Sequence, residues 1–83
     1  MAEKEIGRVT NYFSRIGVAV LLLRAPLRVG DMIRIKGGNR DFEQTVESMQ
    51  VEHQPIESAQ AGQEIALKVD EKVRVNDTVY KVE

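Results

Sequence analysis

The side chains that could do chemistry are few. His53 is the single histidine, in Gln50-Val51-Glu52-His53-Gln54, and the only serines are Ser14, Ser48 and Ser58. On a strand, neighbours point to opposite faces, so Glu52 and His53 make a poor acid–base pair. A zinc site needs several ligands, and one histidine in a chain without cysteine falls short. A serine nucleophile needs a base and an oxyanion hole, and no nucleophile-elbow sequence is present. No Gly-rich loop ending in Lys-Ser or Lys-Thr offers a phosphate cradle. The composition therefore points away from an enzyme and from a nucleotide, metal or other cofactor, and towards binding.

For binding, the basic residues stand out. Arg34 and Lys36 share one face of an alternating segment, Arg40 follows closely, and Arg15 lies beside Tyr12 and Phe13. Cations interleaved with aromatics can neutralise phosphates and stack bases, so Arg15, Arg34, Lys36 and Arg40 are the expected RNA contacts. The same alternation would also blunt a sheet edge against aggregation. The whole chain has a net charge of −1, yet residues 1–40 carry about +5 and residues 41–83 about −6. The Ile16–Leu23 run, with Tyr12 and Phe13, could instead form the dry wall of a protein interface.

The elements that must position these groups are strands. In 83 residues, short apolar or alternating runs recur between Gly, Pro, Asn and Asp, the pattern of an all-β sandwich or barrel. Strands are expected over Glu5–Phe13, Ile16–Leu23, Met32–Lys36, Phe42–His53, Glu64–Val69 and Thr78–Val82. Gly7 suggests a bulge or a close backbone approach. The alternation slips between Val46 and Met49, which calls for a bend near Glu47-Ser48. The expected core comprises Ile6, Val9, Val18, Val20, Leu22, Val29, Ile33, Ile35, Val46, Met49, Val51, Ile65, Leu67, Val69, Val75, Val79 and Val82.

One internal echo is informative. Leu27-Arg28-Val29-Gly30-Asp31-Met32-Ile33 matches Val73-Arg74-Val75-Asn76-Asp77-Thr78-Val79. Gly and Asn are the residues that best tolerate a left-handed backbone, and the following Asp can bond local amides. Gly30, Asp31, Asn76 and Asp77 are therefore expected to build the same tight turn twice, each launching a strand.

These fragments, in order from Ile6 to Val82, resemble the β-barrel domain 2 of translation GTPases such as elongation factor Tu. The segments that carry the likeness are Ile6-Gly7-Arg8-Val9, Leu27 to Ile33, Thr45-Val46-Glu47-Ser48-Met49, Glu57 to Ile65, and Val75 to Val79. The resemblance implies a single small closed barrel over residues 1–83, with six to seven antiparallel strands. It also implies a non-catalytic module contacting tRNA, ribosomal RNA or a ribonucleoprotein in translation. Thr10 to Val18 and Gln44 to Gln50 are similar, too, to the elongation-factor-like C-terminal domain of collagenase-like peptidases. That form implies the alternative, an accessory domain docking on a larger peptidase-like or RNA-modifying protein. No apolar run has the length of a membrane helix or signal sequence, so a soluble, cytoplasmic protein is expected.

Overall fold

The computed structural model describes residues 3–82, and they form ten strands and no helix. The strands are β1 (Glu3–Phe13), β2 (Val18–Leu23), β3 (Leu27–Arg28), β4 (Met32–Gly37), β5 (Arg40–Thr45), β6 (Met49–Val51), β7 (Gln54–Ile56), β8 (Ser58–Ala59), β9 (Glu64–Lys68) and β10 (Thr78–Val82). Eight of them pair in the order β5-β4-β10-β1-β2-β9-β6-β7, all antiparallel, while β3 and β8 form a separate two-stranded ladder.

The fold is all-β, but the expected closed barrel is corrected: the ladder is open, with β5 and β7 as its edges. Pairing β5 with β7 is opposed by Pro55 at the centre of the three-residue β7, since proline has no N–H to donate. The chain leaves β7 for β8, which pairs with β3. The sheet nonetheless curls. The buried Gln44 of edge strand β5 reaches the end of β9, donating from Nε2 to Lys68 O (2.9 Å) and accepting from Asp70 N (2.8 Å) at Oε1.

The expected long strand over Phe42–His53 is two strands in different parts of the sheet. It breaks at residues 46–48, where Val46 and Met49 are buried and Glu47 and Ser48 face solvent. Gly7 sits at a register shift between β1 and β10, and a Cβ there would lie 2.5 Å from the Leu22 carbonyl oxygen. No larger residue lets β1 approach β2 so closely.

The core gathers Ile6, Val9, Leu21, Leu23, Leu27, Ile33, Ile35, Val46, Met49, Ile65, Leu67 and Val79. On β2 the expected phase is inverted: Ala19, Leu21 and Leu23 are buried, while Val18, Val20 and Leu22 are half-buried on the outer face. Periodicity alone does not say which face of a doubly apolar strand is inner. Val29 (40% exposed) and Val75 (52%) also lie outside the core. They occupy the tips of the repeated turns, and Leu27 and Val73 point inward in their place.

The two turns match bond for bond. Asp31 N donates to Arg28 O and Asp77 N to Arg74 O, each at 3.1 Å. Asp31 Oδ2 accepts from Arg28 N (2.9 Å), and Asp77 Oδ2 from Arg74 N (3.0 Å). Gly30 and Asn76 supply the left-handed residue, with φ of 99° and 79°. Each turn then clasps a fully buried valine. Gly30 N donates to Val46 O while Val46 N donates to Asp31 O, and Asn76 N donates to Val9 O while Val9 N donates to Asp77 O. The strands that follow, β4 and β10, pair symmetrically about Arg34–Tyr80, with Ile33 opposite Lys81 and Ile35 opposite Val79. The sequence echo is thus an approximate two-fold repeat.

Candidate functional site

Two surfaces hold several of the side chains singled out above. The first is the charged face of β4. Arg34 grips Asp41 of β5 with two nitrogens, Nε to Oδ1 at 2.6 Å and Nη2 to Oδ2 at 2.7 Å, and reaches Glu3 of β1 with Nη1 at 2.6 Å. Lys36 Nζ lies 3.7 Å from Glu3 and 5.3 Å from the centre of the Tyr80 ring. Arg40 makes a two-pronged pair with Asp77, at 2.8 Å from Nε and 2.7 Å from Nη2. Arg15 is on the β1–β2 turn, and β10 and β1 lie between β4 and β2. The structure therefore unites Arg34 and Lys36 with Glu3 and Asp41 on the outer face, whereas Arg40, which pairs in register with Gly37, lies on the inner face with the buried Asp77, and Arg15 joins neither group. The hydrogen bonds from Arg34 hold the Glu3 and Asp41 carboxyls below their usual range, and those carboxylates raise Arg34 in turn. The bond from Arg40 does the same for Asp77. Cations held by carboxylates in this way present little net positive field to an incoming polyanion.

The second surface arises where β6 and β9 part. Their ladder holds only Met49–Leu67 and Gln50–Ala66, so Ile65 and Glu64 pair with β2 alone. Beyond that point a groove of about 380 Å³ opens, lined by Phe13, Val20, Gln50, Val51, Glu52, His53, Glu64, Ile65 and Ala66. A second hollow of about 160 Å³ shares Gln50 and Ala66 with it and runs on past Val18, Ser48, Leu67 and Lys68. The outward side chains Val18 and Val20 of β2 and Ala66 of β9 give this floor its apolar character.

The rim is built by two irregularities. Glu52 and His53 join β6 to β7 as a two-residue loop, Val51 pairing with Gln54. Both have positive φ, 51° and 66°, as a type I′ turn demands, although Asn-Gly is the pair that adopts it cheaply. On β1, the register shift between Val9 and Asn11 leaves the Thr10 hydroxyl 3.0 Å from Glu64 Oε2 and 3.2 Å from Val20 O. Phe13, 47% exposed, closes the side next to the β1–β2 turn. His53, read from sequence as a strand-end residue, sits at this hairpin tip. Sequence reasoning missed the groove because its floor is the face of β2 assigned to the core.

Among the described residues, no group of three or more His, Cys, Asp or Glu is placed to hold a metal ion. Nor, among the described residues, is any helix long and apolar enough to cross a membrane.

This architecture is that of a solved all-β domain, the C-terminal domain of a Geobacillus thermoleovorans protein assigned to the U32 peptidases. The match has a TM-score of 0.90 over 96% of this chain and 93% of that one, at 23% identity. The selenomethionine variant of the same domain matches with a TM-score of 0.87 over 92% and 96%. In sequence, the chain is 39% identical over 77 residues to an uncharacterized protease of Methanocaldococcus jannaschii, covering 92% of this chain and 19% of the protease. It is 40% identical over 78 residues to a collagenase of Porphyromonas gingivalis, covering 92% and 22%. The chain thus spans about a fifth of the length of these curated relatives. No protein-family model matches it.

These relatives correct part of the expectation. In fold the chain resembles the C-terminal domain of a U32 peptidase and in sequence a part of a protease and of a collagenase, so the elongation-factor label, the role in protein biosynthesis and the RNA-binding assignment built on it are withdrawn. Short turn-and-strand fragments carried that label, and fragments of that kind fix neither a particular β architecture nor a task.

Proposed function

We propose that this chain serves as a non-catalytic accessory domain to a peptidase-like catalytic unit, the alternative that the sequence already offered. The observation that carries the reading is the alignment of nearly the whole chain with one fifth of a protease and of a collagenase. The fold match to a domain solved on its own as the C-terminal part of a U32 peptidase supports it. The arrangement of polar groups is consistent: His53 lies at a hairpin tip, Ser14 in the β1–β2 turn and Ser48 between β5 and β6, all exposed.

The test is a domain exchange. The segment of the Porphyromonas gingivalis collagenase that aligns with this chain is replaced by it, and activity on gelatin is compared with the parent and with a version lacking the segment. The reading expects the chimera to stay soluble and recover activity that the truncation loses, and this chain alone to hydrolyse nothing. Hydrolysis by the isolated chain, abolished by His53→Ala, would overturn it.

A further inference from the structure

We propose that the outer face of β2–β9 binds an extended polypeptide segment carrying a cation at one end, apolar side chains in the middle and an anion at the other. The inference goes beyond the accessory reading and stands on the geometry of the splayed sheet.

Val18, Val20 and Ala66 form an outward apolar floor, which would be a liability on a strand with nothing to contact. The floor lies in a trough, because β6 leaves β9 after Gln50–Ala66 and carries Val51 away with it. The two hollows meet at Gln50 and Ala66, so the trough follows β9 from Glu64 to Lys68. That length is about 13 Å, the span of five extended residues.

Charge fixes the ligand's polarity. Glu52 and Glu64 rim the wide end, with Glu64 held by the Thr10 hydroxyl, and Lys68 lines the narrow end. Two carboxylates at one end and an ammonium at the other complement a lysine or arginine at the first and an aspartate or glutamate at the second. The alternation of strand side chains also leaves main-chain groups available. Lys68 O, on the β6 side, is taken up by Gln44, whereas Glu64, of the same parity, has no ladder partner on that side. A main-chain bond at Glu64 is the means by which a sheet receives an extended peptide.

The Glu52–His53 turn fits the same purpose. A costly left-handed pair is kept where Asn-Gly would serve the hairpin alone, and its first residue is one of the rim carboxylates.

The probe is fluorescently labelled acetyl-Lys-Val-Leu-Val-Asp-amide, titrated with the purified protein by anisotropy. Saturable binding with a dissociation constant below about 1 mM is expected for such a small contact. The Glu52→Gln/Glu64→Gln pair should weaken it roughly three- to tenfold, the size of two exposed ion pairs. Lys68→Glu should weaken it as well, and a probe ending in Lys instead of Asp should recover binding to that variant alone. All three substitutions are at exposed positions, and unchanged circular dichroism will separate binding from folding. No saturable binding, equal affinity for a probe with its three apolar residues replaced by Ser, or indifference to the charge variants would each overturn the proposal. So would sedimentation showing that a second copy of the chain covers this face.

Discussion

The Asp77 carboxylate occupies the space that a Cβ on Gly37 would need. Gly37 ends β4, next to the hairpin that delivers Arg40, and its bare backbone lets Asp77 lie there at 3% exposure with both oxygens on Arg40. Gly37→Ala should therefore destabilise the fold by about 1–3 kcal/mol through overpacking, although its backbone lies in no left-handed region. A denaturant titration measures this, and wild-type stability in the variant would show that Asp77 has room to move.

Acid should act through the same pair. Arg40 holds the Asp77 carboxyl below its ordinary range. Its contribution is complete above the unfolded-state value of about 3.9 and is lost as pH falls through the lower folded value. Thermal stability should stay level from pH 7 to about pH 5 and fall below about pH 4. Arg40→Ala should lower Tm at neutral pH and move the acid midpoint upward. An unshifted midpoint would assign the acid transition to other carboxylates.

Leu21 and Val20 adjoin on β2 but face opposite ways. Leu21→Ala should cost about 2–5 kcal/mol, a large share of the total for so small a domain. Val20→Thr should cost under about 1 kcal/mol. Reversed costs would restore the phase first expected from sequence.

Gln44 ties β5 to the end of β9. Gln44→Leu keeps the volume but leaves Lys68 O and Asp70 N without their partner, at about 1–3 kcal/mol for each group that water cannot reach. Hydrogen exchange at Asp70 should quicken more than at β4 amides. Equal change everywhere would mean that the clip has no local effect.

Glu52→Asn with His53→Gly should stabilise the β6–β7 hairpin by about 1–2 kcal/mol, since those residues take the left-handed turn at little cost. A fall in Tm would indicate that the native pair makes compensating contacts.

Much of the fold was legible in the residues. The repeated apolar-Arg-Val-(Gly/Asn)-Asp motif fixed both turns because its chemistry is local, with each Asp bonding its own backbone three residues back. The phase slip between Val46 and Met49 marked the break between β5 and β6 for the same reason. What escaped was non-local. The inner face of β2 is decided by strands β1 and β9 on either side, the bridging role of Gln44 by the curl of the sheet, and the trough by where β6 stops following β9. The cations Arg34 and Lys36 were recognisable as neighbours on one face, but the turn that sends Arg40 to the other face, and the carboxylate partners from β1, β5 and the turn before β10, are not revealed by spacing.

The two matching turns differ in how far each must reach for its valine. The first finds Val46 just beyond the β4–β5 hairpin, whereas the second must bring Val9 back from the opposite end of the chain. Closing the longer loop costs more chain entropy, so the hairpin holds an advantage in time as well as distance. Folding should begin at β4–β5 and finish when β10 slots between β4 and β1. Substitutions at Val46 should then slow folding, and those at Val9 should chiefly hasten unfolding. Two copies of one turn would thus serve as the opening and the closing step of a single assembly.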